Sequence, residues 1–351
     1  MKRRGAAACA LLVALLGGVG APGCGGGKEV ILRTAAGVEA TAEDIDREPL
    51  WLLPPGGIGW LHLEVGPAAS SELGQYLLSD VRARFPLPEA TGFSFERDVT
   101  RLSLATYSMQ GLDFAGVASG RFDRARIEAA ASEYEGGATP PLVRSEYAGR
   151  TLFTAGSVGF TILTPQTALF GNETGIRRCL DRISESRVAD DLPAWVKDLL
   201  QTPDSTFSFG VDLQGSPITG ALSGRLAALR GATMARGVGN FAPPGINIAG
   251  SIAHGSHDAA RATASALLQA GGSLNMYGRL FGLGQPLRKL ETQAMGDDTQ
   301  VVLAVDGSAV RVLMQKFLPP PPPAPPRTGQ GWAQRSAGEG SGSLPSLQIQ
   351  R

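Results

Sequence analysis

Two parts of the chain repeat the same order of apolar, small and charged residues. The aligned pairs are 62–65 with 208–211, 117–126 with 252–261, and 172–180 with 306–314. Three matches in the same order, two of them at nearly identical shifts of 135 and 134 positions, indicate a duplicated architecture. The chain is therefore predicted to fold as two similar tandem halves.

Each half shows the same sequence of predicted elements. A strand with alternating apolar residues opens each half, at residues 61–65 in the first and 207–211 in the second. An amphipathic helix, a pair of strands, a second helix, further strands and a closing helix follow in both halves. Hairpin-linked strands with helices between them predict an α+β fold of mainly antiparallel sheet, with the helices packed on one face.

Changes in composition mark the limits of these halves. We assign residues 24–48 to a flexible leader, 49–190 to the first half and 191–318 to the second half. The tail, residues 319–351, opens with a proline-rich run and continues with glycine, serine and glutamine, so it is predicted to be disordered. The run Pro319–Pro326 is typical of a stiff polyproline spacer, and the alternative is a segment that docks in an aromatic groove.

The first 23 residues have the layout of a secretory signal peptide. Lys2, Arg3 and Arg4 precede an apolar run from Ala6 to Leu16, and small residues follow it. This run is much shorter than the roughly 20 residues that a membrane-spanning helix needs. The chain is therefore predicted to be exported.

Cys24 lies in the segment GAPGCGGG, residues 20–27, which favours neither helix nor strand. Cleavage after Ala21 is one possibility, but it would leave Pro22 as the first mature residue, a poor fit to an extended protease subsite. Cleavage before Cys24 avoids this problem. The segment resembles the lipobox of bacterial lipoproteins, with Gly23 and Cys24 in place, although Ala21 and Pro22 differ from the residues that most lipoboxes carry.

The whole chain is similar to a family of uncharacterised bacterial lipoproteins with a signal peptide, an acylated cysteine, a duplicated α+β body and a disordered tail. The resemblance implies that Cys24 carries a diacylglycerol thioether and further acyl chains such as palmitate. Two or more chains, at roughly 0.8 kcal/mol per buried CH₂, give stable membrane anchoring. Gly25 resembles the residue that follows the cysteine in lipoproteins sorted to the outer membrane. We therefore expect a location in the cell envelope, at the outer membrane, facing the periplasm or the cell surface.

The charge balance argues against a nucleic-acid partner. The chain has 32 basic and 32 acidic residues, and three of the basic ones, Lys2, Arg3 and Arg4, belong to the predicted signal peptide. No basic stripe of the kind that contacts phosphates is evident in the rest of the sequence. The partners we expect are a membrane, through Cys24, and an envelope protein or an apolar ligand.

Cys179 is the thiol that remains once Cys9 has left with the signal peptide and Cys24 has been acylated, which excludes an internal disulfide. It shares helical spacing with Ile176 and Leu180, and we expect it to be a small buried hydrophobe rather than a nucleophile.

Two of the three histidines, His254 and His257, have a spacing that two zinc ligands could share. Gly255 and Ser256 place them in a turn before a helix, and a zinc site needs further ligands. We predict a helix cap with exposed imidazoles and no metal site.

His62 and Glu64 could place a base beside a carboxylate on one strand. Because they alternate with the apolar residues Leu61, Leu63 and Val65, we expect them to face solvent instead.

Other motifs give no positive support for catalysis. The segment 56–59 is glycine-rich but precedes a strand, whereas dinucleotide-binding glycines follow one. No serine-hydrolase elbow is found. Asn172 opens a glycosylation sequon, and in a bacterial chain we interpret it as a helix cap. No catalytic residue and no cofactor is predicted.

Three functions stay open. The first is a non-enzymatic binding or interaction module, anchored to a membrane of the cell envelope. The second is a carrier of an apolar ligand or lipid, held between the halves or beneath the helices. The third is an enzyme without a recognisable motif.

Overall fold

The computed structural model describes residues 32–33, 39–84, 92–108, 113–133, 142–185, 187–200, 202–203, 205–214, 231–280 and 284–317. The predicted signal peptide, Cys24 and the predicted disordered tail lie outside the described residues.

A single antiparallel sheet of twelve strands dominates the described residues. A separate short pair precedes it, β1 (Leu32–Arg33) with β2 (Glu39–Ala40). In chain order, the strands of the large sheet are β3 (Gly59–Glu64), β4 (Val99–Ser108), β5 (Asp113–Gly120), β6 (Leu142–Tyr147), β7 (Arg150–Ala155), β8 (Val158–Ile162), β9 (Thr167–Gly171), β10 (Phe207–Asp212), β11 (Ala232–Asn240), β12 (Gly245–His254), β13 (Leu287–Met295) and β14 (Asp298–Asp306). Their order in space is β13-β14-β12-β11-β10-β3-β4-β5-β9-β8-β7-β6.

Helices connect these strands. They are α1 (Ala42–Arg47), a 3₁₀ helix (Pro49–Leu52), α2 (Val65–Ala69), α3 (Glu72–Arg84), α4 (Phe95–Asp98), α5 (Arg124–Glu133), α6 (Glu173–Ser184), α7 (Ala194–Leu200), α8 (His257–Leu280) and α9 (Gly307–Phe317). Local sequence explains where several of them begin. Thr41 and Asp44 form a reciprocal capping box at α1, and Asn172 caps α6 through a bond from the Gly175 N–H. The predicted Asn172 cap is confirmed.

The predicted duplication is present in the topology. β3, β4, β5 and β9 occupy the same order as β10, β11, β12 and β14, and the halves meet where β3 pairs with β10. The β6–β7 hairpin extends only the first half among the described strands. Because the sheet is continuous across β3 and β10, the two halves share one sheet rather than forming separate ones.

One aligned segment is out of register by one residue. Val117 and Ile252, which the alignment superimposes, face opposite sides of the sheet, as the cross-strand pairings show. Ala118, the next residue, faces the same side as Ile252. A shift of one residue reverses the face of every side chain in a strand, so the sequence match identified the right element but not the right face.

The predicted α+β class and antiparallel sheet are confirmed, but the helices of the first half cover both faces rather than one. Val117 packs with Ile176 and Cys179 of α6 in one hydrophobic cluster. The adjacent Ala118 packs with Ile127 of α5 in a second cluster. Neighbouring strand residues point to opposite faces, so two consecutive buried residues require cover on both sides.

Candidate functional site

An apolar cavity lies on the α5 side of the first half of the sheet. Its walls come from four strands, from α4 and α5, and from the segments beside them. The lining residues are Phe93, Phe95, Val99, Leu102, Phe114, Ala118, Phe122, Ile127, Val158, Phe160, Ile162, Ala168, Leu169 and Phe170. All of these side chains are apolar, and six of the 13 phenylalanines of the chain are among them.

Close packing of aromatic rings shapes the walls. Phe93 stacks on Phe122 with ring centroids 6.1 Å apart, which ties the segment before α4 to the segment before α5. Phe170 lies flat across β5 because Gly116 has no side chain; a Cβ at this position would come within 2.2 Å of the ring. The cavity floor therefore depends on a glycine that lets an aromatic ring approach the backbone.

The cavity has a volume of about 220 Å³. An engineered apolar cavity of about 150 Å³ stays dry and binds benzene. Small-molecule sites begin near 300 Å³, so this one accommodates the apolar part of a larger ligand, such as a fused ring system or a length of alkyl chain. Left empty, a cavity of this size corresponds to on the order of 5 kcal/mol of lost packing, at roughly 24 cal/mol per Å³. An apolar ligand would recover part of that free energy.

The His62–Glu64 pair lies on the opposite face, at the junction of the halves. His62 Nδ1 is 2.8 Å from Ser103 Oγ, and Nε2 is 3.2 Å from Glu64 Oε1. The His62 side chain is only 16% exposed, because Val196 and Leu200 of α7 lie beside it. The prediction that His62 faces solvent is therefore wrong. Strand alternation identified its face but not the helix that covers that face.

Ser103, His62 and Glu64 supply a hydroxyl, an imidazole and a carboxylate, which are the components of a nucleophilic triad. Here Ser103 is 6% exposed, and the free space beside it is about 10 Å³, roughly enough for one water molecule. A substrate cannot reach the hydroxyl in this packing. Burial lowers the pKa of His62, while the hydrogen bond and charge of Glu64 oppose that shift. The arrangement acts as a hydrogen-bonded link between β3 and β4.

His254 and His257 separate in space. His257 is exposed, and its Nδ1 lies 2.6 Å from the Gly296 carbonyl oxygen. His254 is 6% exposed, with Nε2 3.3 Å from Thr299 Oγ1, and burial lowers its pKa. The prediction of two exposed imidazoles is thus confirmed for His257 and wrong for His254, which ends β12 facing α8. No group of three potential metal ligands occurs among the described residues.

Cys179 is fully buried, as predicted, and burial raises the pKa of its thiol to about 12. A thiol with this pKa stays protonated at neutral pH and behaves as part of the core.

A second apolar feature is the outer surface of α8. Met276, Tyr277 and Leu280 are 54%, 52% and 73% exposed. They lie on the side of the helix away from Gly271 and Gly278, which are buried. The sequence predicted a helix in this segment. It did not predict the exposed apolar surface, because it did not establish which side of the helix faces the sheet.

A wider groove lies between the halves. Its volume is about 840 Å³, and it runs from α2 and α3 to the β11–β12 turn and the start of α9. Glu72, Ser308 and Arg311 lie on its walls beside Phe241 and Pro244, so its lining is mixed in polarity. The sequence suggested two positions for an apolar ligand, one between the halves and one beneath the helices. The cavity beneath the helices has the more apolar lining.

Comparisons with known proteins add information on the fold. No protein-family model matches the chain, and no curated protein matches it. Among solved structures, crystal form III of TP0453 matches with a TM-score of 0.51 and 12% identity, covering 76% of this chain and 98% of that chain. Crystal form I of TP0453 gives a TM-score of 0.48 at 12% identity, covering 76% and 96%. At this identity the likeness to form III concerns the fold alone.

No helix among the described residues is both long and apolar enough to cross a bilayer.

Proposed function

We propose that this protein is a non-enzymatic, lipid-anchored protein of the bacterial cell envelope that binds an apolar ligand. The observation that carries the proposal is the cavity beneath α5, whose lining side chains are all apolar. Ligand sites are mostly apolar concavities, and one without polar groups selects for hydrocarbon. The ligand would be a lipid or another apolar molecule of the envelope, and the halves of the sheet would serve as its scaffold.

The anchor in this proposal is Cys24. Acylation there would hold the protein at the outer membrane, on the periplasmic side or at the cell surface, where lipids are the available apolar ligands. The support is the signal-peptide pattern of residues 1–23 and the lipobox-like segment that ends at Cys24.

The cavity is tested with a neutral fluorescent probe, N-phenyl-1-naphthylamine, titrated into the full chain carrying Cys24→Ser. We expect saturable fluorescence enhancement. Ala168→Leu should abolish it, because three additional carbon atoms would project into a cavity of about 220 Å³. Ala249→Leu is the matched control, since Ala249 is exposed on β12 in the other half.

The two variants separate the possible sites. Loss of binding in Ala168→Leu with retention in Ala249→Leu supports the cavity. Equal binding in all three chains would place the probe elsewhere and remove the basis of the proposal. Lipid extraction of the purified protein, followed by mass spectrometry, then identifies the natural ligand.

The anchor is tested by the intact mass and detergent partitioning of the chain expressed in a bacterium, beside Cys24→Ser. The unmodified chain should gain the mass of its acyl chains and enter the detergent phase, and the variant should do neither. If both stay in the aqueous phase, the protein is secreted without an anchor.

The exposed surface of α8 favours a second function, an interaction module for another envelope protein. Contiguous exposed apolar residues mark interaction surfaces. A photo-crosslinking residue at Tyr277 should give a discrete adduct in cells, whereas one at Ser265, which is also exposed on α8, should not. Identical patterns at the two positions would exclude a specific partner at this surface.

A further inference from the structure

The large sheet ends in two edge strands, β6 and β13, and each of them pairs with one neighbour among the described strands. An edge strand presents N–H and C=O groups to further strands, and natural proteins blunt such edges with bulges and lysines. β13 follows this pattern, because its pairing with β14 has a bulge between Leu287 and Lys289, and Lys289 is exposed. β6 instead pairs with β7 in regular register over all six of its residues. The edge of β6 is therefore the better suited of the two to accept another strand.

The hairpin turn determines which backbone groups of β6 point outward. Residues 148–149 have φ of +48° and +71°, which is typical of the two-residue type I′ turn. Such a turn places the flanking residues, Tyr147 and Arg150, in a hydrogen-bonded pair. Hydrogen-bonded and non-hydrogen-bonded pairs alternate along antiparallel strands, so the N–H and C=O groups of Arg144 and Glu146 point away from β7.

The side chains of β6 are self-complementary about Ser145. When two copies of the strand run antiparallel with Ser145 opposite Ser145, Arg144 of each copy faces Glu146 of the other. These two side chains are 44% and 76% exposed and can reach a partner. On the other face, Val143, which is 53% exposed, then lies opposite Tyr147. Opposite charges and aromatic pairs with β-branched residues both stabilise neighbouring strands.

The same register satisfies the backbone. It makes Arg144 and Glu146 a hydrogen-bonded pair, so their outward N–H and C=O groups bond to each other across the two copies. Ser145 becomes a non-hydrogen-bonded pair with itself, where strands approach most closely and a small side chain fits. Backbone pairing, charge and side-chain size thus agree on one register.

We propose that a second copy of this chain adds to the edge of β6, antiparallel and about a two-fold axis at Ser145. The pairing continues the sheet from the first half of one copy into the first half of the other, and it does not depend on the cavity. A two-fold axis uses the same surface on both copies and is the commonest symmetry of protein dimers. Because β6 has only six residues, the buried area is at the low end for protein interfaces, and we expect a weak, reversible dimer. An anchor at Cys24, as proposed above, would raise the local concentration of copies and favour it.

The first test exchanges the charges on this edge in the full chain carrying Cys24→Ser. Sedimentation velocity over a range of protein concentrations should show a monomer–dimer equilibrium. Arg144→Glu places like charges opposite each other at two symmetric positions and should weaken association about tenfold or more. Glu146→Arg should do the same. A mixture of these two variants should associate as well as the original edge, because every charge in the mixed dimer faces its opposite.

A matched control changes a charge on the other edge of the sheet. The Lys289 side chain is 49% exposed on β13, and Lys289→Glu should leave the dimer unchanged. Circular dichroism verifies that each variant is folded, which is expected because all three positions are exposed.

The second test measures the register by disulfide formation in a chain that also carries Cys9→Ser and Cys24→Ser. Ser145→Cys should form a covalent dimer under mild oxidation, because directly opposed residues lie within disulfide range. Arg144→Cys should form much less of it, since the two copies of this position are diagonal neighbours about 7–8 Å apart. Gln293→Cys, which is exposed on β13, measures the yield from random collision.

Several results would overturn the proposal. A monomer at every concentration would do so, and so would a dimer that is unaffected by the two charge reversals on β6. Equal covalent yields at positions 144, 145 and 293 would indicate collision without a defined register. Oligomers that grow beyond the dimer and respond to Lys289→Glu would mean that β6 pairs with β13 of the next copy, which gives an open chain rather than a two-fold dimer.

Discussion

The two halves of the sheet share a topology but differ in how their strands are packed. The largest fully buried side chains of the first half include Phe153, Leu152, Leu169 and Ile176, whereas Thr263 is the one member of that group in the second half among the described residues. Exposed large hydrophobics show the opposite distribution. Most of them, including Met276 and Leu280, belong to the second half.

The residue types on the strands explain much of this difference. β7, β8 and β9 bury consecutive large side chains, so both of their faces need cover. β11 instead carries Gly237 and Gly239 opposite Phe209 and Phe207, where a Cβ would come within 2.9 and 2.4 Å of the phenylalanine rings. One topology therefore supports a closed half that contains a cavity and a more open half that presents a surface.

The largest expected contrast concerns thiol reactivity. In a chain carrying Cys9→Ser and Cys24→Ser, Cys179 should react with 5,5′-dithiobis(2-nitrobenzoate) at least about a thousandfold more slowly than a cysteine introduced by Ala249→Cys. The reason is that the pKa of Cys179 is raised to about 12 and its side chain is fully buried. Equal rates after unfolding in urea provide the control. Comparable rates in the native protein would mean that the first half opens readily.

The next contrast concerns core deletions on equivalent strands. Leu169→Ala on β9 should lower the free energy of unfolding by about 2–5 kcal/mol, the range for a fully buried leucine. Leu303→Ala on β14 should cost about half of that or less, because Leu303 is only partly buried. Urea unfolding monitored by circular dichroism measures both values. Equal losses would show that the second half is packed as tightly as the first.

The sequence was sufficient to predict the local features of this fold. The alternating strands, the helix cap at Asn172 and the order of elements in the duplication follow from residues close together in the chain. The pairing of β3 with β10 could not be predicted, because it depends on contacts between residues more than 140 positions apart. The helices on both faces were missed because small residues such as Ala118 do not reveal that they are buried.

The candidate site was less predictable than the fold. Its phenylalanines extend from Phe93 to Phe170 in the sequence, and only the pairing of four strands brings them together. Burial of His62 depends on α7, which lies more than 130 residues further along the chain.

A smaller contrast concerns the caps at the start of α6 and α9. Asn172→Ala should cost about 2 kcal/mol, since its side chain accepts from the Gly175 N–H and also from the Phe114 N–H of β5. Asp306→Ala should cost about 1 kcal/mol, because the residues it bonds, Ser308 and Arg288, are exposed and can bind water instead. Thermal unfolding at pH 7 measures the difference, and a larger loss at Asp306 would contradict it.

The smallest expected effect distinguishes the same two caps by their response to acid. Hydrogen bonds from Ser308 and Arg288 lower the pKa of Asp306 to about 2, from an ordinary value of 3.8, whereas Asn172 does not titrate. Because the folded-state pKa is the lower one, the contribution of Asp306 is present above about pH 4 and is lost as the pH falls toward 2. Between pH 5 and pH 3 the unmodified chain should therefore lose about 0.5 to 1 kcal/mol more than Asp306→Asn, a figure that allows for solvent screening of the half-exposed Arg288. Asn172→Ala should lose stability in parallel with the unmodified chain over this range. Urea unfolding at each pH gives these differences, and a parallel course for Asp306→Asn would show that the carboxylate is not held by its two donors.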